Sequence, residues 1–432
     1  MSGTANAMDG GDGATGAWLR RLDQMSATAV LLMAPGMLHA YVLAEICIGL
    51  VAVAFLARCA LLGDWIWLRT PWVVLAGLWW LWLVFCSLPG VGRGGTASLI
   101  QAVVVVRYLV LAAALEHQVL RDAWLRRWLW RVLALCAAYI ALQVYLQAFI
   151  GHNLFGQARW PSGELTGPFD KPRAGAPLSR LFFVALLPPA MSLIGRGSRA
   201  GGLAALVLTG SALAAQVLIG QRMPLLLVVM GFVVSAALLA PLRRPATIAL
   251  LGAAILIAAS AVLVPPTFYR LVTKFSAQME TFPTSPYGEL AARAVAIAEQ
   301  HPWTGRGFNG FRTGCAEPRY FHGWNWPANP NDDGGGLAGC NIHPHNHYLQ
   351  ALTDSGFPGL FLFAALVVTW LAVLGRGLSR TPTALRVGLF VALLIQQWPI
   401  ASTSSAFAIE IGGLSFLLLG FGLAEARSGG IR

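Results

Sequence analysis

HPHNHYLQALTDSGFPG, residues 343–359, sets three of the chain's eight histidines at alternate positions, just ahead of a strongly apolar run. A long polar segment precedes it. The stretch reads as the point where a water-facing loop returns to a membrane, with reactive side chains gathered at the boundary. Asn346 is placed to cap a helix over 347–355, which Gly356 stops. Pro358 suits the first turn of the helix that follows. His345 and Asn346 then stand at a helix N-terminus.

Outward from this point the chain is mostly hydrocarbon. Of its 432 residues, 57% are hydrophobic and 11% charged, and the mean hydropathy is +0.65. A soluble domain carries roughly 25% charged residues, so the composition specifies an all-α integral membrane protein. A span takes about 20 apolar residues. Twelve segments are read as spans: 26–40, 41–62, 71–89, 97–118, 128–150, 177–195, 201–219, 223–241, 246–264, 357–375, 384–402 and 406–425. The first is short and broken by Pro35-Gly36.

The net charge is +12, and only Lys171 and Lys274 among the 30 basic side chains are lysines. The arginines are dispersed between apolar spans, which argues against nucleic-acid binding. They also alternate. Basic connections fall at Arg58 to Arg69, at Arg121 to Arg131, at Arg196 and Arg199, at Arg243 and Arg244, and at Arg376 to Arg386. By the positive-inside rule, this places both termini in the cytoplasm. Residues 1–25 are expected to be a disordered cytoplasmic tail without a cleaved signal peptide. Spans one to nine occupy 26–264, with an external loop at 151–176. A large periplasmic loop, 265–356, separates spans nine and ten. Residues 357–426 hold the last three spans, and 427–432 a cytoplasmic tail. A polar loop of that length is where function is expected. Within it, 288–300 is predicted to be helical, with Leu290, Ala294 and Ile297 on one face.

The candidate chemistry lies on the outer side. His343, His345 and His347 fit three readings: metal ligands with Cys315, Cys340, Asp332 or Asp333; cap or surface histidines; or catalytic and substrate-binding groups. Pro344 and the helix start argue against a metal-binding strand, and no CxxC or HExxH pair is present. Arg222 sits in IGQRMP, on the side where topology asks for no cation, and Arg293 lies on the loop helix. A guanidinium fork matches phosphate oxygens. With Lys171, Arg173, Arg180, Arg270, Lys274 and Arg306, these two would make a basic vestibule suited to a pyrophosphate headgroup. Glu45, Arg107 and Glu410 fall within spans, where charges are paired or functional. Cys315 and Cys340, on the oxidising side, are expected to form a disulfide.

At these residues the chain resembles the O-antigen ligase family, whose superfamily also holds O-antigen polymerases and bacterial O-oligosaccharyltransferases. The resemblance rests on HPWTGRGFNGF (301–311), on His345-Asn346 with Tyr348-Leu349, and on Gly356-Phe357-Pro358-Gly359. IGQRMPLLLVVMG (219–231) is similar to the family's external Ser-Arg turn, with Gln221 in place of serine. GPFDKP (167–172) is similar to its Gly-x-Phe segment. The resemblance implies a GT-C-like architecture. It also implies metal-independent, inverting transfer of a glycan from undecaprenyl pyrophosphate to lipid A–core oligosaccharide, at the periplasmic face of a bacterial inner membrane. His345 would be the general base, and Arg222 and Arg293 the pyrophosphate clamp. Asn346, Lys171, Arg173, Arg180, Arg306 and Tyr348 would contact substrate. No cofactor is implied, membrane lipids surround the chain, and a monomer is expected. The alternatives are an O-antigen polymerase, with a lipid-linked glycan as acceptor, or a protein O-oligosaccharyltransferase.

Overall fold

The computed structural model describes residues 6–321 and 336–428. Asp332 and Asp333, with the ends at 1–5 and 429–432, lie outside the described residues. Apolar runs of span length leave the backbone no water to bond to, and helices satisfy it internally. The described residues are accordingly helical. In chain order they form α1 (Asn6–His39), α2 (Tyr41–Leu62), α3 (Pro71–Cys86), α4 (Gly95–Val104), α5 (Val106–His117), α6 (Ala123–Phe149), α7 (Gly175–Gly195), α8 (Arg199–Ile219), α9 (Arg222–Leu238) and α10 (Arg243–Leu263). Short α11 (Pro265–Phe268) and α12 (Lys274–Glu280) follow, then α13 (Pro286–Gln300), α14 (Gly310–Gly314), α15 (His347–Gly375), α16 (Ala384–Gln396) and α17 (Leu414–Ser428).

Eight of these helical stretches are long and apolar enough to cross a membrane, with α4 and α5 counted as one, and α3, α9 and α16 are shorter apolar helices. The expected tail does not match throughout: the chain is helical from Asn6, continuous with the run expected to be the first span. The span expected over 384–402 stops at Gln396. Pro399 cannot continue a helix. Residues 397–408 are therefore mostly irregular, and they turn back into the bundle.

Packing divides the bundle into two apolar bodies. One joins α1–α6 with α15 and α17 and takes in one side of α7, α8 and α16. The other joins α7–α10 with α16, where Phe182, Phe183 and Phe232 meet edge to face or tilted. Glu45, Arg107 and Glu410, the charges expected within spans, are each paired. Arg107 grips Glu45 through two hydrogen bonds of 3.0 and 3.1 Å, and Arg173 meets Glu410 at 2.5 Å. A third small core forms inside the long loop from Leu290, Ala294, Ile297, Phe311, Cys315 and Tyr320. That core seats α13 beside α15.

Candidate active site

The sequence of α15 explains the geometry at its start. Asn346 caps it, its carboxamide oxygen accepting from the N–H groups of Tyr348 (2.9 Å) and Leu349 (3.0 Å). Its amide donates to the Pro399 carbonyl at 2.7 Å. Ser355 and Gly356 break the helix, with Gly356 at φ +65°, before Pro358 restarts it. The HPWTGRGFNGF segment docks on this break. Arg306 N–H donates to Thr353 O (2.9 Å), Gly307 N–H to Asp354 O (3.0 Å) and Phe357 N–H to Pro302 O (2.7 Å). The buried Asp354 carboxylate accepts from Gly310 N–H at 2.7 Å. The two stretches that carry the resemblance are thus one backbone lock, which fixes the residues just ahead of α15.

His345 is the residue so presented. Its φ is +54°, a left-handed conformation unusual for a side chain with a Cβ. The Thr403 N–H holds its carbonyl at 2.8 Å. The Asn341 carboxamide oxygen accepts from Ile342 N–H at 2.7 Å, so its amide nitrogen faces His345 Nε2, 3.1 Å away. That amide donates, so Nε2 carries the lone pair and Nδ1 the hydrogen. Burial holds the His345 imidazole below the ordinary histidine value, against a backbone hydrogen bond with Thr403 that pulls upward. His343, with its ring centroid 4.4 Å from that of His345, is lowered further, to about 4, by burial and then by the two neighbouring histidines. His347 turns the other way, its Nδ1 3.1 Å from the Gln397 carboxamide oxygen. Among the described residues no three His, Cys, Asp or Glu side chains converge as metal ligands.

His345 opens on a cavity of about 730 Å³ that also receives Asn346, Tyr348, Arg180, Arg222 and Arg270. Arg180 reaches it from α7 with only 5% of its surface exposed. It donates to Ala176 O (2.9 Å) and Thr403 Oγ1 (3.0 Å), and its Nε is buried with no partner. Arg222 opens α9 and bonds the Gln278 carboxamide. Among the described residues neither Arg180 nor Arg222 pairs with a carboxylate, whereas Arg270 pairs with Glu164. Gln221 ties the region together: it donates to Pro172 O and accepts from Gly175 N–H at 3.1 Å. It thereby joins the start of α7, which carries Arg180, to the turn that carries Arg222.

Other candidates lie outside this cavity. Arg293 is 1% exposed and packs in the loop core. It donates to the carbonyls of Cys315 (3.0 Å) and Gly336 (2.5 Å) and stacks over the Phe321 ring. Its position three residues after Leu290 puts it on the buried stripe, while Ala291 and Val295 face the cavity. Arg306 is likewise buried, against Tyr320 Oη (2.9 Å) and Glu317. Arg173 is held by Glu410, and Lys171 is exposed away from the cavity lining. Tyr348 lines the cavity but donates its hydroxyl to Gln397 O at 2.8 Å. Cys315 and Cys340 are joined as a disulfide, with Cα atoms 5.6 Å apart. The sequence reading missed Ala401–Ser404, which brings Thr403 and Ser404 into the cavity. Its signal is ASTSS (401–405), just beyond Pro399-Ile400, polar residues where a span should end.

Residues 204–364 match the family model described as O-antigen ligase. Over these residues the chain is similar to the O-antigen ligase family. The matched stretch contains Arg222, Arg293, the backbone lock and His345. It leaves outside Arg180 and Thr403, which the fold brings to the same cavity. No curated protein matches the chain.

Proposed function

We propose that the cavity transfers a glycan from a lipid pyrophosphate to an acceptor hydroxyl. Undecaprenyl pyrophosphate is the carrier and lipid A–core oligosaccharide the acceptor. The observation that carries this reading is Arg180, a buried guanidinium without a counter-carboxylate among the described residues, opening on a cavity shared with Arg222 and His345. A buried cation left unpaired is costly unless an anion completes it. Arg180 and the half-buried Arg222 answer the two negative phosphates of a pyrophosphate, whose charge grows as the glycosidic bond breaks.

The acceptor oxygen attacks the anomeric carbon while its proton passes to His345 Nε2, where an incoming hydroxyl replaces the exposed Asn341 amide. The bond from the anomeric carbon to the pyrophosphate oxygen breaks, and the electron pair leaves with the lipid pyrophosphate. Attack opposite the leaving group inverts that carbon. An imidazole kept neutral by burial is ready to accept a proton near pH 7. Asn346, Arg293 and Arg306 are positioning residues in this scheme: they hold the cap and the loop core, and none is asked to touch the substrate. The proposal includes twelve spans in a GT-C-like bundle, with the cavity facing the periplasm and both termini in the cytoplasm.

The test is transfer by the purified chain in proteoliposomes with an undecaprenyl-pyrophosphate glycan. Lipid A–core and a second lipid-linked glycan are offered as rival acceptors, with EDTA present. Glycosylated lipid A–core is the expected product. Elongation of the second lipid-linked glycan instead would make the chain a polymerase, and no transfer to either acceptor would overturn the assignment.

A further inference from the structure

At the end of the bundle opposite the candidate site lies a second cavity, of about 540 Å³. The placement follows from α2. Just before α2 starts, His39 packs near Phe169 of the 151–176 loop. The helix then runs its 22 residues, about 33 Å at 1.5 Å per residue, to Leu62 at the second cavity. Nothing in the transfer scheme uses this cavity.

Its walls hold polar groups that the protein itself leaves open. Ser26 on α1 is 1% exposed, and its hydroxyl has no hydrogen-bond partner among the described residues. A helical serine ordinarily bonds back to its own helix. The Trp67 indole, 7% exposed, has no oxygen or nitrogen partner for its N–H and meets only the Cys59 sulfur, a weak acceptor. Gln118 donates to Asp23 at 2.7 Å, which leaves its own carboxamide oxygen buried and unbonded. Two donors and one acceptor thus lie unsatisfied in the walls of one cavity, although buried polar groups are ordinarily satisfied.

The charges around them are mixed. Arg58 and Arg121 line the cavity with Asp23, Asp64 and Asp122, and Arg58 already meets Asp23 at 3.2 Å. Three carboxylates oppose a bare polyanion and two guanidiniums oppose a bare cation, whereas a zwitterion satisfies both. The mouth is apolar: Leu62 and Ile66 line it and are largely exposed, and Trp65 stands exposed beside them. Exposed aliphatic and tryptophan side chains at a helix end belong to the lipid boundary. The ligand therefore has a zwitterionic head and hydrocarbon tails.

We infer that this cavity binds the headgroup of a zwitterionic glycerophospholipid. The phosphate accepts from Ser26, Trp67 and the guanidiniums, and the ammonium donates to Gln118 and the carboxylates. The acyl chains leave past Leu62 and Ile66. A free phosphoethanolamine shares the head chemistry but not the tails.

Native mass spectrometry of the delipidated full chain tests this with three probes: dioleoyl phosphatidylethanolamine, dioleoyl phosphatidylglycerol and free phosphoethanolamine. The expected result is a retained phosphatidylethanolamine adduct. The fraction retained should fall about tenfold or more when Ser26→Ala and Trp67→Phe remove both donors to the phosphate. Trp67→Phe alone keeps an aromatic ring in place and carries the test should the double variant not fold. Unchanged unfolding temperature and unchanged glycan transfer in the variants show that the loss is local. The inference is overturned by any of four results: no retained adduct, equal retention of phosphatidylglycerol, retention unaffected by the substitutions, or displacement of the lipid by free phosphoethanolamine at equal concentration.

Discussion

Replacing Arg180 by methionine separates a substrate-binding cation from a structural one, because the two roles predict different pairs of readings. Methionine retains an unbranched side chain of similar length and removes the charge. In the free protein, two hydrogen bonds disappear, to Ala176 O and Thr403 Oγ1. Bonds to charged groups contribute about 1.5–3 kcal/mol each. Against that stands the desolvation of a buried guanidinium without a carboxylate partner, of the order of several kcal/mol. The two terms oppose and are of similar size, so stability should change by no more than about 1–2 kcal/mol. Transfer has no such cancellation. Loss of two charge-assisted bonds to the pyrophosphate removes about 3–6 kcal/mol, or roughly 10²- to 10⁴-fold in kcat/KM. The assay pairs single-turnover transfer in proteoliposomes with thermal unfolding of the same preparation. Arg180→Lys should fall between, since an ammonium supplies charge without the fork. The reasoning fails if Arg180→Met keeps kcat/KM within about threefold of the parent, or if its activity is lost only in step with a collapse in unfolding temperature.

Other substitutions probe the rest of the cavity. His345→Asn should lose about 10²- to 10⁴-fold in rate while remaining folded, because asparagine tolerates the left-handed backbone at this position; near-parental turnover in a transfer assay would remove the general base. Burial lowers His345 below the ordinary histidine value, so the base loses its neutral form only on the acid side of that value. The acid limb of the rate should therefore be centred below 6.5, and a limb centred at or above 6.5 contradicts it. Arg222→Lys should lose at least about tenfold in kcat/KM through loss of bidentate geometry, measurable with the same donor titration. Arg293→Met should act differently, lowering the unfolding temperature by unmaking the bonds to Cys315 and Gly336; a variant of parental stability with abolished turnover would return Arg293 to the catalytic set. Peptide mapping without reductant should find Cys315 linked to Cys340, and two free thiols would refute the link.

What was legible in the sequence is what depends on local order. Hydrophobic runs near twenty residues mark helices because the backbone has no other solution in lipid; the expected runs overlap helices, although 384–402 stops at Gln396 and 97–118 is shared by α4 and α5. Gly356 followed by Pro358 predicts a stop and a restart, and the structure breaks α15 at Ser355–Gly356. Asn346 as a cap follows from its side chain alone. What was not legible is which charges meet across the chain. Glu116 accepts from Trp72 at 2.8 Å and meets Arg427 at 3.5 Å, a pairing separated by some three hundred residues. The placement of Arg293 in the loop core follows from its face of the helix, not from its charge. Leu290, Ala294 and Ile297 define the buried stripe, and position 293 falls inside it.

The same distinction explains why the residues that carry the resemblance are mostly not the ones proposed to touch substrate. Gly305 stands at φ +58°, where a Cβ would lie 2.6 Å from Ser355 N and Thr353 O. A Cβ on Gly356 would lie 2.5 Å from Pro302 O and Trp303 O. Two loops approaching this closely leave room for one backbone arrangement only. That arrangement fixes Thr353–Gly356, hence the axis of the first part of α15, and hence its N-terminus, where Asn346 caps and His345 turns into the cavity. A pattern of glycines and prolines can therefore mark an active site while contributing no reactive atom to it: it specifies where a helix begins. Arg180, one of the vestibule cations expected from the sequence, lies outside the matched stretch. What spacing could not reveal is how it is placed: Gln221 fastens the start of α7, which carries Arg180, to the Arg222 turn.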